Sequence, residues 1–191
     1  MKFLSCIFFV ALCACVQGQI PAFGKCPSPS VKQGFKAAKY VGTWYEFQRY
    51  FVAFEWNTKC GKARYTLKSD GKIKVENSGI NSRTGASSHV VGEASAPDPR
   101  VPAKLEVRFP SGGVFAKGPY WVLDTDYVTY SVVYSCVQTP LSLAHADIIW
   151  ILSRRRAGLH DGVKHQIYNM LRNRGLRVNY LKVQNQSNCP N

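Results

Sequence analysis

Tyr65-Thr66-Leu67-Lys68-Ser69-Asp70-Gly71-Lys72-Ile73-Lys74-Val75-Glu76 is the stretch that decides the fold class. Asp70-Gly71 sits between two short apolar runs, a strong hairpin signal. Lys72 to Glu76 then alternates polar and apolar, so one strand face is wet and the other buried. Lys104-Leu105-Glu106-Val107-Arg108-Phe109 alternates as cleanly. Further turns are marked by Pro97-Asp98-Pro99, Ser111-Gly112-Gly113 and Asp124-Thr125-Asp126. Tyr120 to Leu123 and Val128 to Tyr134 are rich in β-branched and aromatic residues, and Asp147 to Leu152 ends the series. About eight candidate strands therefore fall between residues 43 and 153, with no helical pattern between them, which excludes βαβ units. One helix follows: Val163, Ile167, Met170 and Leu171 form an amphipathic stripe. Asp161 lies at its start, Arg172 and Arg174 near its end, and Gly175 suits a left-handed cap. Leu176-Arg177-Val178 resumes an extended pattern. Eight antiparallel strands and a late helix suggest a closed barrel with the helix outside, with a β-sandwich as the competitor. Periodicity does not separate the two.

Outward from this core, Lys2 precedes an almost wholly apolar run from Phe3 to Val16, and small residues follow at Val16-Gln17-Gly18. That is the form of a secretory signal over residues 1–18, leaving residues 19–191 as a single extracellular domain. Cys6, Cys13 and Cys15 fall in the leader. Cys26, Cys60, Cys136 and Cys189 remain, an even number that reads as two disulfides with three connectivities open. No pair has zinc-finger spacing. The formal charge is +14, and beyond residue 150 Arg154, Arg155, Arg156, Lys164, Arg172, Arg174, Arg177 and Lys182 face only Asp161. Such a bias can attract anionic lipid headgroups, acidic glycans or nucleic acid, and export removes nucleic acid. Its plain alternative is a solvated surface.

Gly42-Thr43-Trp44-Tyr45-Glu46 resembles the first signature of the lipocalins, at the start of their first strand. Thr125-Asp126-Tyr127 resembles the second, and Arg154 after Trp150-Ile151-Leu152-Ser153 the third. Gly24-Lys25-Cys26-Pro27, Pro102 to Val107, Pro119 to Leu123 and Val133-Tyr134-Ser135-Cys136 are similar to the apolipoprotein D branch, which includes the insect bilin-binding lipocalins. The resemblance covers nearly the whole chain after the leader. It implies an eight-stranded antiparallel up-and-down β-barrel with one C-terminal helix packed outside. It also implies disulfides Cys26–Cys136 and Cys60–Cys189. Two departures stand out. The two barrel sequons of the vertebrate members are absent, leaving Asn185-Gln186-Ser187 as the one sequon, and the loop from Phe109 to Gly118 has a glycine-rich tip.

The same resemblance assigns roles. Trp44 plugs the closed end with Arg154 across its ring, a cation–π pair. Tyr65, Asn77, Tyr120 and Trp150 line the cavity, with Asn77 supplying an orienting hydrogen bond. Ordinary core packing is the alternative for each aromatic. His89, His145, His160 and His165 lack ligand spacing, so no metal is expected, though His89 and His145 are placed to reach the barrel mouth. No catalytic motif occurs, and no cofactor is implied. The expected function is carriage of a small hydrophobic ligand: a fatty acid, a sterol or a related lipid. A tetrapyrrole or carotenoid pigment is the alternative, as is a loop-mediated interaction or defence protein with an anionic membrane surface or receptor as partner. The basic surface mildly favours an anionic ligand.

Overall fold

The computed structural model describes residues 20–52, 55–110 and 116–190. The leader at residues 1–18 and the Ser111-Gly112-Gly113 turn lie outside the described residues. Eight strands run up and down: β2 (Gly42–Arg49), β3 (Thr58–Leu67), β4 (Ile73–Asn81), β5 (Ser87–Ser95), β6 (Lys104–Arg108), β7 (Lys117–Thr125), β8 (Tyr130–Gln138) and β9 (Ala144–Ser153). Each pairs antiparallel with the next, and β9 returns to β2 with Tyr45 opposite Ser153 and Arg49 opposite Trp150. That last pairing closes the barrel, and a sandwich is thereby excluded. Two further short strands extend the seam, β1 (Ile20–Phe23) on β9 and β10 (Lys182–Val183) on β2.

The hairpin forms as its residues dictate. Leu67 faces Ile73 across β3 and β4. Gly71, at φ +80°, donates its N–H to the Lys68 carbonyl at 3.0 Å, and Lys68 donates to Lys72 at 2.8 Å. A left-handed residue at that point is what a three-residue turn with a bulge needs.

Two helices accompany the barrel, α1 (Ala37–Tyr40) and α2 (Asp161–Asn173). The stripe of α2 turns inward as its spacing predicts, with Ile167 and Leu171 buried and Val163 and Met170 partly so. Tyr168 ties it to the outer wall by donating to Gln48 Oε1 at 2.9 Å. Gly175, at φ +72°, and Leu176 donate to the carbonyls of Arg172 and Leu171, a paired cap that ends the helix. The extended run expected at Leu176-Arg177-Val178 is not a strand. The chain turns there, with Leu181 donating to Val178 at 3.1 Å, and pairing begins at Lys182. The single turn of α1 and a 3-10 turn at Pro140–Ser142 are additions to the expected elements.

Both termini are pinned. Cys26–Cys136 ties the N-terminal arm to β8, and Cys60–Cys189 ties the C-terminal segment to β3. Among the described residues no helix is long and apolar enough to cross a membrane.

Candidate functional site: the barrel interior

One end of the barrel is sealed by the motif residues. Trp44 is fully buried and donates its indole N–H to the Tyr40 carbonyl at 2.9 Å. The Arg154 guanidinium lies 3.7 Å from the centre of the indole ring. Its N–H groups donate to the carbonyls of Tyr127 at 3.0 Å, Thr43 at 2.9 Å and Val41 at 2.8 Å. The Thr125-Asp126-Tyr127 turn presents the first of these. Asp126 holds that turn by accepting from the N–H groups of Val128, Thr129 and Tyr130. Gly42 leaves room for the guanidinium, since a β-carbon there would lie 3.0 Å from Nη1. The three signatures are thus one physical unit: a plug, a clamp across it, and the turn that offers the clamp an acceptor.

Strand register sorts the walls into two faces. Tyr65 pairs with Val75, Ala63 pairs with both Trp44 and Asn77, Leu105 with Tyr120, and Trp150 with Val133 and Arg49. Directly opposed residues share a face, so Tyr65, Asn77, Tyr120 and Trp150 all lie on the inward one. Their geometry there is not uniform. Tyr65 and Tyr120 form the floor, where a void of about 10 Å³ remains between them, Tyr40 and the apolar wall. Tyr65 Oη lies 2.7 Å from Tyr120 Oη, which lies 3.0 Å from Tyr40 Oη, which lies 2.8 Å from Ser131 Oγ. Burial pushes the Tyr40 hydroxyl up to about 12 and those of Tyr65 and Tyr120 well above the phenol range. The floor is a chain of neutral hydroxyls that satisfy one another. Asn77 is partly buried, and its amide oxygen is enclosed with no hydrogen-bond donor. Trp150 stands higher on the wall and donates to Glu55 Oε2 at 3.4 Å.

A group that sequence reasoning missed is buried beside Trp150. Glu46 and Arg49 point inward from β2, and Glu55 reaches them from the loop that follows. Arg49 is 5% exposed. Its Nε lies 2.9 Å from Glu55 Oε2 and 3.5 Å from Glu46 Oε2, without an aligned hydrogen bond to either. Nη1 and Nη2 donate to the carbonyls of Tyr50 and Glu55. The Glu46 carboxylate packs against Gly61, where a β-carbon would overlap it. Burial first, and then the Glu55 charge, push the Glu46 carboxyl up to about 8 against the pull of Arg49. Burial raises Glu55 as well. Strict alternation along β2 places Trp44, Glu46 and Gln48 on one face. An irregularity in the pairing with β9 between Glu46 and Gln48 turns Arg49 inward instead.

His89 and His145 do not reach the interior. His89 pairs with Ser78 on the outer face. His145 shares the outer face with Asp147, whose carboxylate accepts from Tyr134 at 2.7 Å, and its Nδ1 lies 3.0 Å from the Gly24 carbonyl. A larger concavity of about 550 Å³, with Pro97, Pro119 and Trp121 in its wall, is open and contains none of the four expected cavity residues.

Residues 35–186 match the family described as a Lipocalin-like domain. Apolipoprotein D of Macaca fascicularis is 40% identical over 174 residues, covering 91% of this chain and 89% of the relative. The bilin-binding protein of Pieris brassicae is 29% identical over 151 residues, covering 78% of each. Insecticyanin from the tobacco hornworm Manduca sexta matches in structure with a TM-score of 0.76 at 26% identity, over 90% of this chain and 91% of that one. A closed eight-stranded barrel, a tryptophan plug under an arginine clamp and these likenesses agree: the chain belongs to the lipocalin family, with apolipoprotein D among its relatives.

Proposed function

We propose that this chain is exported after loss of residues 1–18 and carries one small hydrophobic molecule in the barrel, without catalysing a reaction on it. The observation that carries this reading is the contrast between the two ends of the interior. Trp44 and Arg154 seal one end, and above them Tyr65, Tyr120 and Trp150 present aromatic surface on the inward face. Burial of apolar ligand surface there stabilises the complex by roughly 25 cal/mol per Å², and a preformed wall keeps the ordering cost low. A fatty acid, a sterol or a related lipid suits such a wall, with Asn77 orienting its polar end. All four cysteines outside the leader are paired in disulfides, which leaves that part of the chain without a thiol for nucleophilic or redox chemistry.

Pigment carriage is the second reading, and likeness to a bilin-binding protein favours it. Titration of the delipidated protein with a lipid and pigment panel tests both, read by tryptophan fluorescence and visible absorbance. Saturable quenching by lipid without a visible band supports lipid carriage. A one-to-one complex with biliverdin and a shifted band supports the pigment reading. No response to any member of the panel sinks both, and leaves a surface-mediated interaction with a receptor or an anionic membrane. Trp150→Phe is expected to lose most of the ligand-dependent quenching while the fold persists; a variant that keeps it removes Trp150 from the site.

A further inference from the structure

The C-terminal segment fills the wall where two strands part. Pairing between β2 and β3 runs from Gly42 opposite Tyr65 to Tyr45 opposite Lys62. Beyond that point β2 pairs with β10, and Gln184 donates to the Phe47 carbonyl at 3.0 Å. Gln186 spans the gap between the strands, its Nε2 donating to the carbonyls of Glu46 at 3.0 Å and Gly61 at 2.8 Å. The Asn185 carbonyl accepts from the Cys60 N–H at 2.8 Å, and Cys60–Cys189 locks the segment in place.

This hold on the barrel runs through main-chain groups and through Gln186. The side chains on either side of Gln186 take no part in it. Asn185 and Ser187 are exposed, whereas Gln186 is half-buried. Asn185 Oδ1 accepts from the Ser187 N–H at 2.9 Å, a turn closed by the side chain itself. That bond engages the oxygen, and among the described residues Nδ2 has no partner. These residues are the chain's one sequon, an asparagine and a hydroxyl two positions on, with no proline between.

Resting on the export reading, we infer that Asn185 carries an N-linked glycan. The donor is an oligosaccharide on a polyprenol diphosphate, met in the secretory pathway. Asn185 Nδ2 bonds to the anomeric carbon of its first N-acetylglucosamine. The bond from that carbon to the diphosphate oxygen breaks, polyprenol diphosphate leaves with the electron pair, and Nδ2 gives up one proton. The fold accommodates the product, because no bond of the docked segment uses Nδ2 and the residue is exposed. The transferring enzyme must take the segment into its own cleft, so transfer precedes docking and closure of Cys60–Cys189. Asn81 makes the contrast. Its Oδ1 accepts from the Arg83 N–H at 2.9 Å in an exposed turn, the same local geometry, but Arg83 stands where the hydroxyl is needed. Asn81 is therefore left unmodified.

The full chain with its leader is expressed in mammalian cells, and the intact mass of the secreted protein is read before and after treatment with a peptide N-glycosidase. One glycan is expected, its removal converting Asn185 to an aspartate. Ser187→Ala and Asn185→Gln are each expected to abolish it while secretion persists, and Ser187→Thr to retain it. Arg83→Thr supplies a second acceptor at Asn81, where a further glycan is expected; a gain there beside none at Asn185 would show the route competent and the assignment wrong. A secreted protein, freed of residues 1–18, whose mass the enzyme leaves unchanged overturns the proposal. So does a glycan that survives Ser187→Ala. A chain that keeps its leader and never leaves the cell defeats the export reading, and the proposal with it. Cys60→Ser with Cys189→Ser tests the order of events. The occupied fraction in the cell lysate should be no lower than in the parent, and a fall would mean that docking comes first.

Discussion

Arg154 shows how much one side chain can hold. It stacks on Trp44 and satisfies three part-buried carbonyls from two separate segments, Val41 and Thr43 on one and Tyr127 on the other. Arg154→Ala strips the stack and orphans those acceptors, so it is expected to cost about 3 kcal/mol. The melting temperature should fall by about 10 °C. Arg154→Lys keeps the charge but loses the fork, and should recover less than half of that loss. Thermal unfolding followed by circular dichroism decides it, and a loss under about 1 kcal/mol would leave the clamp without its assigned weight. Glu46 makes a prediction of a different kind. Its carboxyl is raised from 4.5 to about 8 by burial and by Glu55, while Arg49 opposes the shift. The folded state therefore binds more protons than the unfolded chain, and stability falls as pH rises from about 4.5 to about 8. Glu46→Gln removes that loss. Its melting temperature should match the parent at the acid end of this window and exceed it at the alkaline end. Parallel profiles across the window would mean that the carboxyl is not perturbed.

At the scale of the element, legibility follows periodicity. Ile73 and Val75, and Leu105 and Val107, reveal strands because each alternates with charged neighbours that face water. The helix at Asp161–Asn173 shows itself by its stripe and by its glycine. What sequence hides is whatever breaks a period or is too short to have one. Helix α1 is a single turn, below the length at which an apolar stripe exists. The irregularity between Glu46 and Gln48 reverses the parity of β2 and brings Arg49 inside, and no local residue announces it. Glu55 comes from a loop, where periodicity carries no information about direction. Tyr65, Asn77, Tyr120 and Trp150 fall on the inward face of the strands where family likeness puts them, while the charged cluster beside Trp150 could not be read. An element-scale test of the helix is Gly175→Ala. Gly175 sits at φ +72° with nothing within 4 Å of an added β-carbon, so the cost is conformational alone. About 1 kcal/mol is expected from chemical denaturation. A loss near zero would mean that the cap is remade in another conformation.

For the whole molecule, the basic excess and the disulfides describe how chain ends relate to the barrel. Much of the late positive charge is taken up in structure: Arg156 lies over Tyr45, Arg172 over Tyr168 and Arg177 over Tyr180, while Arg174 donates to the Leu123 carbonyl. The C-terminal segment they help to seat also donates from Gln186 to the carbonyls of Glu46 and Gly61, and Cys60 donates to Asn185. Its bridge, Cys60–Cys189, spans 129 residues, and Cys26–Cys136 spans 110. Chain-entropy arguments give each loop about 5 kcal/mol, and bridges of this kind commonly deliver 2–4. The two attach to β3 and β8, which β4 to β7 separate in the sheet order. They share no partner residue, so their contributions should add. Cys60→Ser with Cys189→Ser, and Cys26→Ser with Cys136→Ser, are each expected to cost about 3 kcal/mol in urea unfolding of the delipidated protein, and the combined variant about 6. A combined loss no larger than either single loss would mean that the two ends are held as one cooperative unit through the β2–β9 seam. That seam carries both β1 and β10 on its flanking strands, so it is the place where such coupling would have to run.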